Sequence, residues 1–466
     1  MGRKTGIAVL LAAMLLFSLA AGCSSNSNSN SGGGESKGAA PTSTPTQEST
    51  TSVPEKKNVT LKFAMSAKDA AREDRVKLLE LAMEKTGYKV EPLIIPGDAV
   101  EFDKKLLISM MAGEDIDVLY MNGPTAQKYV TAQVLLPLDD MIAEEKYNAD
   151  EIYGSNLKKF DGKIYNLPAF KDVHVTMYNK TLFDNAGIPY PEPGTWTWEK
   201  YLETAQKLTD PDKGIYGSYM LDWDIYFTLS AKQKKVPAYK EDGTSNLDDP
   251  AWAESLKFFS DLGTVHKVQP DLLTFLSKKL PFDAFMNGKY GMWVVGNWAL
   301  AMGVDKKTYP RDWKLGVTIM PQVEAGEKVT LSVMGGYAVG KNTKHAKEAY
   351  EVVKALAELE YTLPFGKVPA RVDLDSSQLA DIAKGAIVGL TEDGITEQDI
   401  IDSILDAKLD AVDEKITGPG MTQINGTIIP KESELYAIGQ RSLEDTMKAI
   451  KEKADNAIKE DQLAAP

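Results

Sequence analysis

The stretch Asp161–Pro191, DGKIYNLPAFKDVHVTMYNKTLFDNAGIPYP, constrains the fold of this chain more than any other. An Asp161-Gly162 turn leads into an apolar strand ending at Leu167-Pro168. The polar step Lys171-Asp172 follows, then a second alternating strand, Val173–Tyr178. A short helix comes next and stops at Gly187, with Pro189 beyond it. Long stretches of α/β-like sequence lie on either side. The simplest reading is a crossover between two lobes, with Asp172 at the seam where a ligand would sit.

Before the crossover, Val59–Met65, Tyr88–Ile95 (broken by Pro92) and Asp117–Tyr120 read as strands. Ala70–Thr86 and Glu101–Ala112 between them read as helices. Such alternation predicts an α/β sheet with helices on both faces. Ligands of such sheets bind beyond the carboxyl ends of the strands, which makes Ser66 and Asn122 pocket candidates, against plain loop roles. After the crossover, Thr197 caps a helix to Leu208 and Asp249-Pro250 opens another to Val265. Tyr216–Leu221 and Tyr290–Val295 read as strands.

Trp223 stands between Asp222 and Asp224. An indole flanked by carboxylates suits a sugar, whose apolar face stacks on the ring while the acids accept hydroxyl protons. Trp223 and Asp224 are therefore candidate contacts, and a core role is the alternative. Gly335-Gly336 gives backbone freedom beside Tyr337, which could offer ring and hydroxyl to a cleft or fill the core. The remainder reads as helical over Lys344–Glu358, Glu397–Lys415 and Glu434–Ile458, with Thr417–Gly426 a loop near the cleft.

Composition narrows the function. With 43% hydrophobic and 26% charged residues the chain is an ordinary soluble protein, and a net charge of −14 argues against nucleic acid. The single cysteine, Cys23, excludes a disulfide framework and a Cys-cluster metal site. His174, His266 and His345 are scattered and form no zinc motif, so neither metal nor cofactor is expected.

The N-terminus has its own logic. Arg3 and Lys4 precede an apolar run, Ile7–Phe17, and small residues lead to Cys23, the pattern of a secretory leader. The Ala-Ala-Gly-Cys ending resembles a bacterial lipobox with Ala20 in the usual leucine position, which implies lipidation of Cys23. Ser24–Asn58 is a Ser/Asn/Thr/Pro-rich tract with nothing to bury, a flexible leash spanning roughly 30 Å on average.

The run DGKIYNLPAF…MYNKTLFDNAGIPYP…TWTWEKYLETAQKLT resembles the family 1 extracellular solute-binding proteins of ABC importers, the maltose-binding-protein type. The likeness continues at FMNGKYGMWVVGNW, GVTIMP and GGYAVGKNTKHAKEAYEVVK, in the same order. It implies a two-lobed, type II periplasmic-binding-protein fold with three interlobe crossings. The expected division is residues 1–22 leader, 23–57 lipidated cysteine and linker, 58–171 plus about 318–334 lobe one, and 172–317 plus 335–466 lobe two. It also implies that Trp298 stacks on a sugar and that Arg371 occupies a basic position near the pocket, where a surface ion pair is the plainer alternative.

These readings combine into a monomeric, lipid-anchored carbohydrate receptor on the outer face of the cytoplasmic membrane. Its cargo would be an oligosaccharide, delivered to ABC permease subunits. The same fold carrying a peptide, amino acid or metal complex is the alternative. A surface glycosidase using Asp222 and Asp224 is a weaker reading, since alternate loop residues do not face one substrate.

Overall fold

The computed structural model describes residues 58–97, 99–221, 224–363, 367–406 and 408–464. Ten strands are present among them: β1 (Thr60–Met65), β2 (Lys89–Ile94), β3 (Val118–Asn122), β4 (Asn166–Asn179), β5 (Tyr216–Ser218), β6 (Tyr290–Gly296), β7 (Leu315–Ile319), β8 (Val329–Val339), β9 (Val368–Pro369) and β10 (Asp410–Asp413). Their path is β2-β1-β3-β8-β4-β6-β5, with β10 on β8 and both β7 and β9 on β4.

The crossover is one strand, not two. β4 runs unbroken through Lys171-Asp172 because the backbone there is paired on both edges: Lys171 opposes Met334 and Val368, and Asp172 opposes Val333. Polar side chains signal a break in the sequence, but they do not interrupt a ladder built from backbone groups. Residues 166–173 pair with β8 in the first lobe, and 174–179 pair with β6 and β7 in the second. Val173 N–H also donates to Asn297 Oδ1 at 2.8 Å, tying the end of β6 to the crossing.

β8 makes the return journey, and it reverses the expected allocation of the later crossings. Its beginning pairs with β10 (Val329 opposite Asp410), and Leu331 packs with Met320 and Val412 in a second-lobe core. Its end, Gly335–Val339, pairs with β3. The helix Ala346–Leu359 then joins the first-lobe core with Leu61, Phe63 and Tyr337. An antiparallel strand running back must start in the lobe that the sequence division had left behind at residue 317.

Other differences are local. Pro92 sits inside β2 without breaking it, since an edge strand tolerates a missing N–H. The helix expected from Ala70 is two pieces, Ala67–Ala70 and Glu73–Thr86, because Arg72 is extended (φ −71°, ψ 132°). Glu397–Lys415 is a helix only to Ile400; a π turn covers Ile401–Leu405, and Asp410–Asp413 satisfies the edge of β8 as β10. Thr417–Gly426 is no cleft loop: Ile416, Ile424 and Ile428 pack against Ile458 of the final helix. The C-terminal helix is divided at Gly439 (φ +78°) into Ile429–Ala437 and Leu443–Ala464. No helix among the described residues is long and apolar enough to cross a membrane.

One buried ion pair pins the second lobe. Arg311 and Asp393 are 2% and 4% exposed, joined by two bonds of 2.6 and 2.5 Å, and Asp393 also accepts Leu315 N–H at 3.2 Å. Removing one partner strands a charge in the interior. Asp393→Ala is therefore expected to lower unfolding free energy by about 3–5 kcal/mol in urea titrations at pH 7. A loss no larger than that of an exposed ion-pair variant would contradict this.

Candidate functional site

β4 presents its two faces alternately at the crossing, Phe170 and Asp172 to one side, Lys171 and Val173 to the other. On the Asp172 side the wall is aromatic. Tyr120, from β3, stacks on Phe170 with ring centroids 6.2 Å apart and planes 7° from parallel. Tyr337 meets Tyr120 edge-on at 6.0 Å, and Lys367 Nζ lies 3.4 Å from the centre of the Phe170 ring.

Behind the rings is a buried charge network. Arg75 and Glu360, 9% and 3% exposed, pair at 3.0 Å. Arg75 donates to the Tyr337 hydroxyl at 2.5 Å, and that hydroxyl donates to Glu360. Lys367 adds a second cation 3.4 Å from Glu360. Burial pushes the Glu360 carboxyl up, but Arg75 and Lys367 outweigh it and hold the pKa below the ordinary value of 4.5. Every charge here has a partner.

Asp172 is the exception. Its Oδ1 is shielded from solvent and has no hydrogen-bond partner. Burial raises the Asp172 pKa above 3.8; Lys367 and His174 oppose the rise, and Glu360 and Glu414 reinforce it. His174 is itself kept neutral by burial, its pKa pulled below 6.5 despite Glu414 with Oε2 3.9 Å away. That oxygen is left with its acceptor capacity unused by the protein.

The remaining candidates are placed variously. Ser66 caps the short helix Ala67–Ala70: its Oγ accepts Asp69 N–H at 3.0 Å and donates to the Asp69 carboxylate at 2.8 Å. Asn122 caps Gly123–Thr131 through Oδ1, 3.2 Å from Thr125 N. Both lie at carboxyl ends of first-lobe strands, as the sheet pattern predicts. Trp298 is half-buried in the 3₁₀ turn Asn297–Ala299 directly after β6, perpendicular to Trp293 at 6.4 Å. Its indole lies over Gly296, where an added Cβ would come within 2.3 Å of Nε1.

Tyr337 is placed differently from the cleft role proposed for it. Its ring is fully buried and its hydroxyl is consumed by Arg75 and Glu360. The adjacent glycines are extended, not left-handed, and serve close approach: a Cβ on Gly335 would sit 2.6 Å from Phe170, and one on Gly336 2.4 Å from Leu167 O. Arg371 is held by Asp373 through bonds of 2.9 and 2.6 Å, the plainer of its two readings. Trp223 and Cys23 lie outside the described residues, as does the Asp224 side chain, whose backbone begins the 3₁₀ turn Asp224–Thr228.

Sequence reasoning missed Tyr120, Glu360 and Lys367. Tyr120 carried a signal, an aromatic near the carboxyl end of a strand. Glu360 and Lys367 carried none, because their neighbours Arg75 and Phe170 are hundreds of positions away in the chain.

A profile of the family described as bacterial extracellular solute-binding protein matches residues 68–362. A binding protein of Brucella abortus is 24% identical over 309 residues, 62% of this chain and 72% of the relative. A maltotriose-binding protein of Pyrococcus abyssi is 24% identical over 282 residues, 58% of each. An ABC substrate-binding protein from Listeria monocytogenes, solved in complex with cycloalternan, superposes with a TM-score of 0.69 at 21% identity, covering 86% of this chain and 99% of that one.

The unmatched carboxylate at Asp172 has a thermodynamic consequence. Its folded pKa lies above the unfolded value, so ionisation destabilises the native state at neutral pH and the penalty fades as pH falls through the folded pKa. Asp172→Asn should raise unfolding free energy at pH 7 by about 0.5–2 kcal/mol. Urea titrations across acid pH should show the advantage shrinking. A variant less stable than the parent at pH 7 would mean that Asp172 is paired.

Proposed function

Because this chain belongs to the bacterial extracellular solute-binding protein family, we propose that it captures an oligosaccharide between its lobes and hands it to the membrane subunits of an ABC importer. The observation that carries the reading is the partnerless Asp172 oxygen at the crossing of β4. A sugar hydroxyl is the neutral donor that such an acceptor lacks. The relatives that bind maltotriose and cycloalternan support the same cargo class.

Trp298 is the proposed stacking platform on the second lobe, Trp223 and Asp224 are further candidate contacts, and Ser66 and Asn122 contribute at the margins. Stacking one pyranose face removes about 60–100 Å² of apolar surface, worth about 1.5–2.5 kcal/mol. A charge-assisted hydrogen bond to Asp172 adds a similar amount. Closure follows as a population shift, set by how much better the closed form holds its ligand.

The leader and lipobox-like sequence support lipidation at Cys23, which would hold a monomeric receptor on the outer face of the cytoplasmic membrane by a flexible leash. The first and last crossings, β4 and β8, would act as hinges.

Isothermal titration against linear and cyclic gluco-oligosaccharides, with assay for new reducing ends, tests the proposal. One-to-one binding in the micromolar range without cleavage is expected. Asp172→Ala and Trp298→Ala should each weaken affinity at least about tenfold, the equivalent of 1.4 kcal/mol. Unchanged affinity in both variants would overturn the site, and the absence of heat with every sugar would overturn the cargo.

A further inference from the structure

The opposite face of β4 at the crossing opens on a cavity of about 300 Å³. Its lining includes Lys171, Val173, Val368, Leu379, Leu405 and Ala411, and no aromatic ring is among the lining residues. Strand alternation places it on the far side from Asp172, so it is separate from the proposed saccharide site. The wall offers no ring for a sugar to stack on, and of its three charged side chains Arg371 and Asp406 are already engaged in ion pairs, which is poor chemistry for a sugar. The volume lies at the lower end of the range for small-molecule sites.

The charges around this cavity decide what it suits. Arg371 is neutralised by Asp373, and Asp406 by Lys328. Lys171 has no carboxylate within ion-pair distance among the described residues. Burial lowers its pKa, with no anion to offset the effect. The cavity thus combines an aliphatic interior with one uncompensated cation, held half-buried at the strand that both lobes share.

We propose that this cavity binds an amphipathic monoanion, an aliphatic carboxylate of medium chain length, with its carboxylate on Lys171 and its chain against Val368, Leu379, Leu405 and Ala411. The pairing supplies the counter-charge that Lys171 lacks, and the chain fills space that no side chain of the protein occupies. The proposal stands independently of what binds at Asp172.

Calorimetric titration of the full chain with hexanoate, octanoate and decanoate, below micelle-forming concentration, tests it. One saturable site is expected, with affinity rising about fourfold per added methylene. Lys171→Met should weaken decanoate at least tenfold, and decanol should bind the parent protein correspondingly weakly. Ala411→Phe should abolish binding by filling the cavity. Leu379→Phe is the second filling variant, and circular dichroism confirms that each variant is folded. Absence of saturable binding overturns the proposal. So does decanoate affinity that is unchanged in Lys171→Met and in the folded filling variant, which would mark adsorption to exposed apolar surface.

Discussion

The backbone ladder of β4 is the constraint on which the rest of the structure depends. Fourteen residues run from one lobe into the other as one strand with a bulge at Ala169, paired to β8 and β9 before the crossing and to β6 and β7 after it. That pairing fixes where each side chain of the crossing must point. The ladder fixes the Asp172 Cβ on one face of β4, and the carboxylate lies where burial raises its pKa and Oδ1 finds no donor. The ladder enforces a local destabilisation, and the ladder is also what makes it tolerable.

The surroundings of Asp172 show how such a site is kept rigid. Arg75, Tyr337, Glu360 and Lys367 form a closed network in which each charge is met inside the protein. Fully satisfied polar networks in low dielectric are stiff, whereas an unsatisfied member is costly. The contrast between the network and its neighbour is what supports Asp172 as the proposed acceptor. Four polar groups are matched, and one carboxylate oxygen, Asp172 Oδ1, is not. Tyr337, which looked like a ligand contact, is a structural member of the matched set. Its neighbours Gly335 and Gly336 let two strands and the Phe170 ring come close.

Much of this architecture was legible in the chain, and the reasons are local. Asp249 followed by Pro250 announced the start of a fifteen-residue helix, and Gly187 (φ +64°) announced the end of another. The α/β alternation of the first lobe and the position of Asp172 at a crossing could both be read from short-range pattern. What could not be read depends on partners remote in sequence. Val412 looks like part of a helical stripe until β8 offers it an edge to join. Lys171-Asp172 looks like a break until backbone pairing from Met334 and Val368 is counted. The direction of β8 decides which lobe owns residues 318–339, and direction is a property of the assembled sheet.

We propose that the segments joined by β4 and β8 move together around a bound saccharide. Small-angle X-ray scattering, with and without a saturating sugar, tests it most directly. A smaller radius of gyration is expected when ligand is bound in the parent protein, and a smaller change when the same sugar is added at the same concentration to Asp172→Ala. A radius that stays constant in the parent protein while calorimetry shows it saturated would contradict the claim.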